Sequence, residues 1–294
     1  MLAVFGGSPT VFLLAIAILS LVIGSFLNVV IYRLPIMMQR AWADECRECL
    51  SAEDSAAGVS ADKIPKPPFN LLVPRSHCPT CGHKISAIEN IPVISYLALR
   101  GRCTACHAPI SLQYPLVEIA TVILSLIVAW RFGYGWQTIA ALLLTWALIA
   151  LAAIDFHTKL LPDSITLPYL WLGILVNMGG LFTNLQASVL GAVCGYLSLW
   201  CVYHLFKLLT GKEGMGYGDF KLLAMLGAWM GWQMLPLVIL LSSVVGATMG
   251  ISLIITKGRN RDNPIPFGPY LAVAGWIAFL WGPQITEVYL RHFH

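Results

Sequence analysis

Eight apolar runs separated by short polar breaks dominate this chain. They extend over Val11 to Tyr32, Tyr114 to Trp130, Thr138 to Ile154, Ile165 to Phe182, Ala187 to Leu209, Phe220 to Trp232, Leu235 to Thr256 and Phe267 to Trp281. A helix of about 20 apolar residues crosses the hydrocarbon core of a bilayer, where every backbone polar group needs an internal partner. A 294-residue chain patterned in this way is expected to be an all-α polytopic membrane protein with about eight transmembrane helices. The Phe220 to Trp232 run is short, so a re-entrant or tilted segment there would change the count. Composition points the same way, with 58% hydrophobic and 11% charged residues and a mean hydropathy of +0.76, outside the range of soluble domains. The net charge of +4 is a modest surplus that in such a chain records topology, not binding to nucleic acid.

Charge placement predicts the orientation. With the N-terminus periplasmic and eight crossings, sixteen of the eighteen Lys and Arg residues fall on the cytoplasmic side, leaving only Arg131 and Arg291 opposite. The ten residues before the first run contain no Lys or Arg, unlike a secretory signal, so an uncleaved helix is expected there. Three parts follow: a first transmembrane helix at 1–32, a cytoplasmic insert at 33–113, and a transmembrane domain at 114–294. Ser51 to Pro68, rich in small residues, Asp and Pro, is the expected flexible link.

Eight cysteines include three Cys-x-x-Cys pairs, Cys46/Cys49, Cys78/Cys81 and Cys103/Cys106. Cys78-Pro-Thr-Cys-Gly and Cys103-Thr-Ala-Cys-His have the spacing of two zinc knuckles, and a reducing cytoplasmic setting favours thiolates on a metal over disulfides. Cys78, Cys81, Cys103 and Cys106 are therefore the expected ligands of a structural Zn2+, which would stabilise a small zinc-ribbon-like insert. Cys46 and Cys49 lack the Pro and Gly of a knuckle and are expected to be surface thiols. Cys194 and Cys201 lie seven apart on one helix face and are expected to be buried in apolar packing.

Acidic residues near a bilayer are costly, and three of them gather at one face. Asp155 closes the third run, Asp163 precedes the fourth, and Asp219 ends Gly-Met-Gly-Tyr-Gly-Asp before the sixth. Two crossings separate Asp155 from Asp219, so the chain returns to the same leaflet and the two carboxyls can meet. Close carboxyls cannot both ionise, which suits peptide hydrolysis: one acts as base toward water while the other, protonated, polarises the carbonyl. Gly216 and Gly218 remove side chains from the approach to Asp219, so an extended substrate can lie along this turn. Asp163, followed by Ser-Ile-Thr, is expected to cap its helix.

The chain resembles the type IV prepilin peptidase family along nearly its whole length. The matching stretches are Gly24 to Pro35, Cys78 to Gly82, Asn90 to Pro92, Gly101 to Cys106, Tyr114 to Glu118, Ile154-Asp155 with Leu161 to Asp163, Gly216 to Asp219, and Pro266 to Tyr270. The resemblance implies an inner-membrane aspartic endopeptidase whose essential pair matches Asp155 and Asp219. It implies substrates that are type IV prepilin or type II secretion pseudopilin precursors, cut after a basic leader at the cytoplasmic face. It also implies N-methylation of the new N-terminus with S-adenosylmethionine, for which the residues themselves show no site. The oligomeric state is left open.

Two other classes are weighed against this reading. A membrane thiol oxidoreductase would need a periplasmic Cys-x-x-Cys pair, which the charge count opposes. A transporter would spread its acids through the mid-bilayer, whereas these gather at one face.

Overall fold

In the computed structural model, which describes residues 8–55, 68–86, 88–212, 214–257 and 266–292, each apolar run lies on a helix. The long helices are α1 (Pro9–Ser55), α3 (Gln113–Phe132), α4 (Trp136–Thr158), α5 (Asp163–Met178), α6 (Leu185–Thr210), α7 (Tyr217–Met230), α8 (Leu235–Lys257) and α9 (Gly268–Arg291). A short helix α2 covers Ile94–Ala98, and a 3-10 turn covers Trp232–Met234. Five segments are long and apolar enough to cross a membrane: Pro9–Cys49, Gln113–Phe132, Trp136–Thr158, Leu185–Thr210 and Trp232–Met249. The fold is all-helical, as its apolar patterning requires, and five is the number of spans that length and composition support among the described residues.

The first helix does not stop at Tyr32 but runs on to Ser55. Its continuation, from Met37 to Glu48, is built almost wholly of good helix formers and contains neither Gly nor Pro. The first five residues of the expected link at 51–68 are thus helical, and 56–67 lie outside the described residues.

Two compact units make up the chain, one of residues 20–120 and one of residues 1–19 with 121–294. Short α7 is the centre of the second unit. Every residue from Asp219 to Met230 except Lys221 is buried, so the helix is apolar all round and is enclosed by α5, α6 and α9. At 14 residues it is about 21 Å long, less than a hydrocarbon core.

Small residues set the closeness of this packing. A Cβ added at Gly191 on α6 would collide with the carbonyl of Gly227 on α7, and the reverse holds too, so the two backbones touch. At the opposite end Asn177 of α5 is almost fully buried. Its amide donates to the carbonyls of Ala228 and Trp229 at 2.9 and 3.1 Å, and its oxygen accepts from the N–H groups of Phe182 and Thr183 at 3.0 and 3.1 Å. Trp229 fills the space left by Gly173 and donates to the Tyr169 carbonyl at 2.8 Å, which locks α7 to α5.

In the other unit, polar side chains of α1 and α3 hold loops and one another in place. Arg33 donates to the carbonyl of Asn70 at 3.0 Å, and Asn28 to that of Tyr114 at 3.0 Å. Glu118 is buried and accepts from the Val93 N–H at 2.7 Å, where Val93 has a left-handed φ of 59°. A backbone amide and the Ser25 side chain are among its partners.

Candidate active site and metal centre

Asp155 sits on the last turn of α4, just before the left-handed C-cap at Lys159. Asp219 is the third residue of α7. Both are buried, at 5% and 7% exposure, and their carboxyls are close enough to interact electrostatically.

Neighbouring segments shape the pair. The Gly268 N–H, at the start of α9, donates to Asp155 Oδ2 at 3.0 Å. A Cβ on Gly268 would lie 2.7 Å from that same oxygen, so a side chain there would displace the Asp155 carboxyl. Across the pair, a Cβ on Gly218 would lie 2.7 Å from Leu161 Cβ, so the Leu161-Pro162 link packs against the backbone of the Asp219 turn. The space beside Gly218 is therefore occupied by Leu161. Gly216, at the N-cap of α7, is open, with a Cβ position 3.9 Å from Asp219 Oδ2 and no closer neighbour.

Asp163 does not cap its helix. The N-cap position of α5 is Pro162, and no side chain makes a cap hydrogen bond there. Asp163 instead lies in the first turn and binds Lys221, which projects from α7 two residues after Asp219. Partner geometry overrides local capping preference because the lysine ammonium reaches both carboxylate oxygens.

The four cysteines expected to bind metal come together. Cys78, Cys81, Cys103 and Cys106 place all four sulfurs within 4.8 Å of one another, with Cys78 to Cys106 at 3.8 Å and Cys81 to Cys103 at 4.0 Å. A tetrahedral ion with metal–sulfur bonds of about 2.3 Å has sulfur–sulfur edges of about 3.8 Å, so the spacing suits it. The two knuckles are built alike. In the first, Cys78 N–H donates to the His83 carbonyl and Gly82 N–H to the Cys78 carbonyl, both at 2.9 Å; in the second, Cys103 N–H donates to the Ala108 carbonyl at 2.9 Å and His107 N–H to the Cys103 carbonyl at 3.0 Å. Gly82 and His107 occupy the same left-handed position, with φ of 73° and 55°.

Charge in this cluster is uneven. Backbone N–H groups of Cys81 and Thr80 hold the Cys78 thiol down at about 6. At Cys106 a backbone hydrogen bond with Ala108 acts to lower the value, but burial and the sulfurs of Cys81, Cys103 and Cys78 outweigh it and push the thiol up to about 12. One thiolate forms readily and the last resists, which is the behaviour of a quartet completed by a cation. Glu89 joins the knuckles. It accepts from the Thr104 hydroxyl at 2.5 Å, from the Ser86 N–H at 2.7 Å and lies 3.3 Å from His83 Nε2; these donors, Thr104 foremost, hold its carboxyl at about 2.

Other cysteines serve elsewhere. Cys46 and Cys49 are exposed on α1. Cys194 and Cys201 are also exposed, because the inward face of α6 is taken by Gly191, Gly195 and Leu199, and the expected burial of this pair is not observed. Gly268, Leu161 and Lys221 were not singled out from the sequence. Gly268 and Leu161 fall within the Pro266 to Tyr270 and Leu161 to Asp163 stretches quoted above, which was the available signal.

Comparison with known proteins gives two family matches: residues 18–132 match the bacterial peptidase A24 N-terminal domain, and residues 142–251 match the type IV leader peptidase family. A prepilin leader peptidase/N-methyltransferase of Stutzerimonas stutzeri is 59% identical over 284 residues, covering 97% of this chain and 96% of the relative. One of Aeromonas hydrophila is 58% identical over 287 residues, covering 98% and 97%. One of Pseudomonas aeruginosa is 56% identical over 283 residues, covering 96% and 95%. No solved structure matches.

Proposed function

The chain belongs to the type IV leader peptidase family, and from that premise we propose that it is a membrane-embedded aspartic endopeptidase working through Asp155 and Asp219. The substrates are prepilin or pseudopilin precursors, cut at the boundary between leader and mature chain. The observation that carries this reading is the burial of two carboxyls, contributed by helices α4 and α7, within one compact unit.

Such a pair shares one proton between its carboxyls. The ionised carboxyl takes a proton from water, whose oxygen attacks the scissile carbonyl carbon, while the protonated carboxyl donates to the carbonyl oxygen. Collapse of the tetrahedral adduct breaks the C–N bond, and the new amine leaves with a proton returned from the pair. Burial favours both transfers by removing bulk water that would screen the developing charge.

The same protein N-methylates the new N-terminus, with S-adenosylmethionine as the donor of a methyl group from its sulfonium to the amine nitrogen. Cys78, Cys81, Cys103 and Cys106 hold structural zinc, and it serves the fold of the insert, not the hydrolysis. The protein resides in the inner membrane, with its N-terminus periplasmic and both the zinc insert and the dyad at the cytoplasmic face. That orientation is supported by the sixteen cytoplasmic Lys and Arg residues and can be checked by cysteine accessibility in intact cells.

Cleavage of a prepilin-like peptide in membranes tests the peptidase reading. Asp155→Asn and Asp219→Asn should each lower kcat by about 10²–10⁴-fold. Full cleavage by either variant removes that residue from the mechanism.

A further inference from the structure

The opening turn of α9 offers unusually few hydrogen-bond donors. The first N–H groups of any helix lack intrahelical partners. In α9 the second residue is Pro269, which has no N–H, and the N–H groups of Tyr270 and Leu271 both donate to the Phe267 carbonyl at 3.1 Å. Only the Gly268 N–H remains, and it points at Asp155 Oδ2, 3.0 Å away and 113 residues distant in sequence. Both partners are buried.

The missing side chain matters as much as the donor. An alanine methyl at 268 would sit 2.7 Å from Asp155 Oδ2 and 3.0 Å from its Cγ, so the carboxyl would have to turn or withdraw. Donor and void act on one oxygen. They leave Oδ1 of Asp155 as the oxygen unencumbered by this contact.

We propose that Gly268 is a positioning residue for the peptidase reaction: its N–H and its lack of a Cβ hold the Asp155 carboxyl in the orientation from which it works with Asp219. This rests on the aspartic-dyad reading above. A displacement of about 1 Å in a reacting group costs on the order of 100-fold in rate, so the constraint acts on turnover more than on binding.

The full-length protein in detergent or nanodiscs, with a prepilin-like peptide as substrate, tests this. Gly268→Ala is expected to lower kcat about 100-fold with KM within about twofold of wild type, and to change the shape of the pH profile of kcat. Gly275→Ala on the same helix is the packing control. Its added Cβ meets the flexible tip of Leu226 at 2.5 Å, away from the dyad, and it should keep the wild-type pH profile and a kcat within about threefold. A Gly268→Ala kcat within twofold of wild type, or equal losses in the two variants, overturns the proposal. Should Gly268→Ala fail to accumulate folded protein, amide exchange in the wild type and in Asp155→Ala decides: exchange at Gly268 at least about tenfold faster without the carboxylate supports it, and equal rates overturn it. Cleavage by Asp155→Asn would defeat the dyad reading itself, whereas the exchange measurement reports the Gly268 bond independently.

Discussion

Lys221 Nζ lies 2.8 and 2.7 Å from the two carboxylate oxygens of Asp163, joining α7, two residues after Asp219, to the first turn of α5. Asp163 is 54% exposed and Lys221 29%, so solvent screens much of the attraction. Asp163→Asn and Lys221→Met should each cost about 0–1 kcal/mol of stability and less than tenfold in kcat/KM. Because the two side chains act as one unit, the double variant should be no worse than the more damaged single variant. A double-mutant cycle on kcat/KM measures this, and fully additive losses would show that the pair does not act together.

Leu161 packs where a Gly218 side chain would stand, which makes the pair suited to a rescue experiment. Gly218→Ala should destabilise the protein by about 1–3 kcal/mol through overpacking and should lower cleavage. Removing the neighbour's Cβ in Gly218→Ala/Leu161→Gly should restore part of both. Unfolding in mild detergent, with cleavage of a prepilin-like peptide alongside, reads the two effects.

The four-cysteine cluster, which could hold a metal ion, predicts a pH dependence for zinc binding. Cys106 is held up at about 12 without an ion, so binding must displace its proton, and affinity rises with pH. Zinc should therefore be retained at pH 8 and released progressively on acidification, as titration with a competing chelator will show. Cys78→Ser/Cys81→Ser should abolish stoichiometric zinc in the purified protein.

Glu89 clasps the two knuckles from outside the ligand set. Glu89→Gln should weaken zinc affinity by about 10–100-fold, the usual effect of losing an outer-shell partner, while leaving four ligands in place. Its depressed carboxyl adds a separate acid sensitivity. Folding gains from the ionised form above the ordinary value of 4.5, and the gain is lost as pH falls through about 2. Chelator competition measures the affinity change, and unchanged affinity would show that the clasp does not organise the site.

Asn177 satisfies four backbone groups where α5 meets the end of α7. Asn177→Leu would leave buried carbonyls and N–H groups without partners, at a cost of about 1–3 kcal/mol. Denaturation in detergent should show that loss with the dyad chemistry otherwise intact, that is, with kcat near wild type for the folded fraction.

Several of these features are legible in the sequence. The apolar runs located every long helix, because run length is a local property of the chain. Asp155 and Asp219 could be proposed as a pair from the two apolar runs between them. Cys194 and Cys201 show the opposite case: seven residues apart on an apolar helix, they have no local mark saying whether they face protein or lipid. Asp163 carries the local signature of a cap, yet a lysine 58 residues away claims it.

What the chain determines by itself is its solvent and its locally closed units. Apolar run lengths demand helices in a bilayer, and two Cys-x-x-Cys turns fold within six residues each, so both follow from short stretches of sequence. Tertiary packing alone decided which helix faces turn inward and where the single spare amide of α9 points. Rotation of a helix about its axis and the target of a backbone donor depend on neighbours more than a hundred residues away, and all backbone amides other than proline's look alike in a sequence.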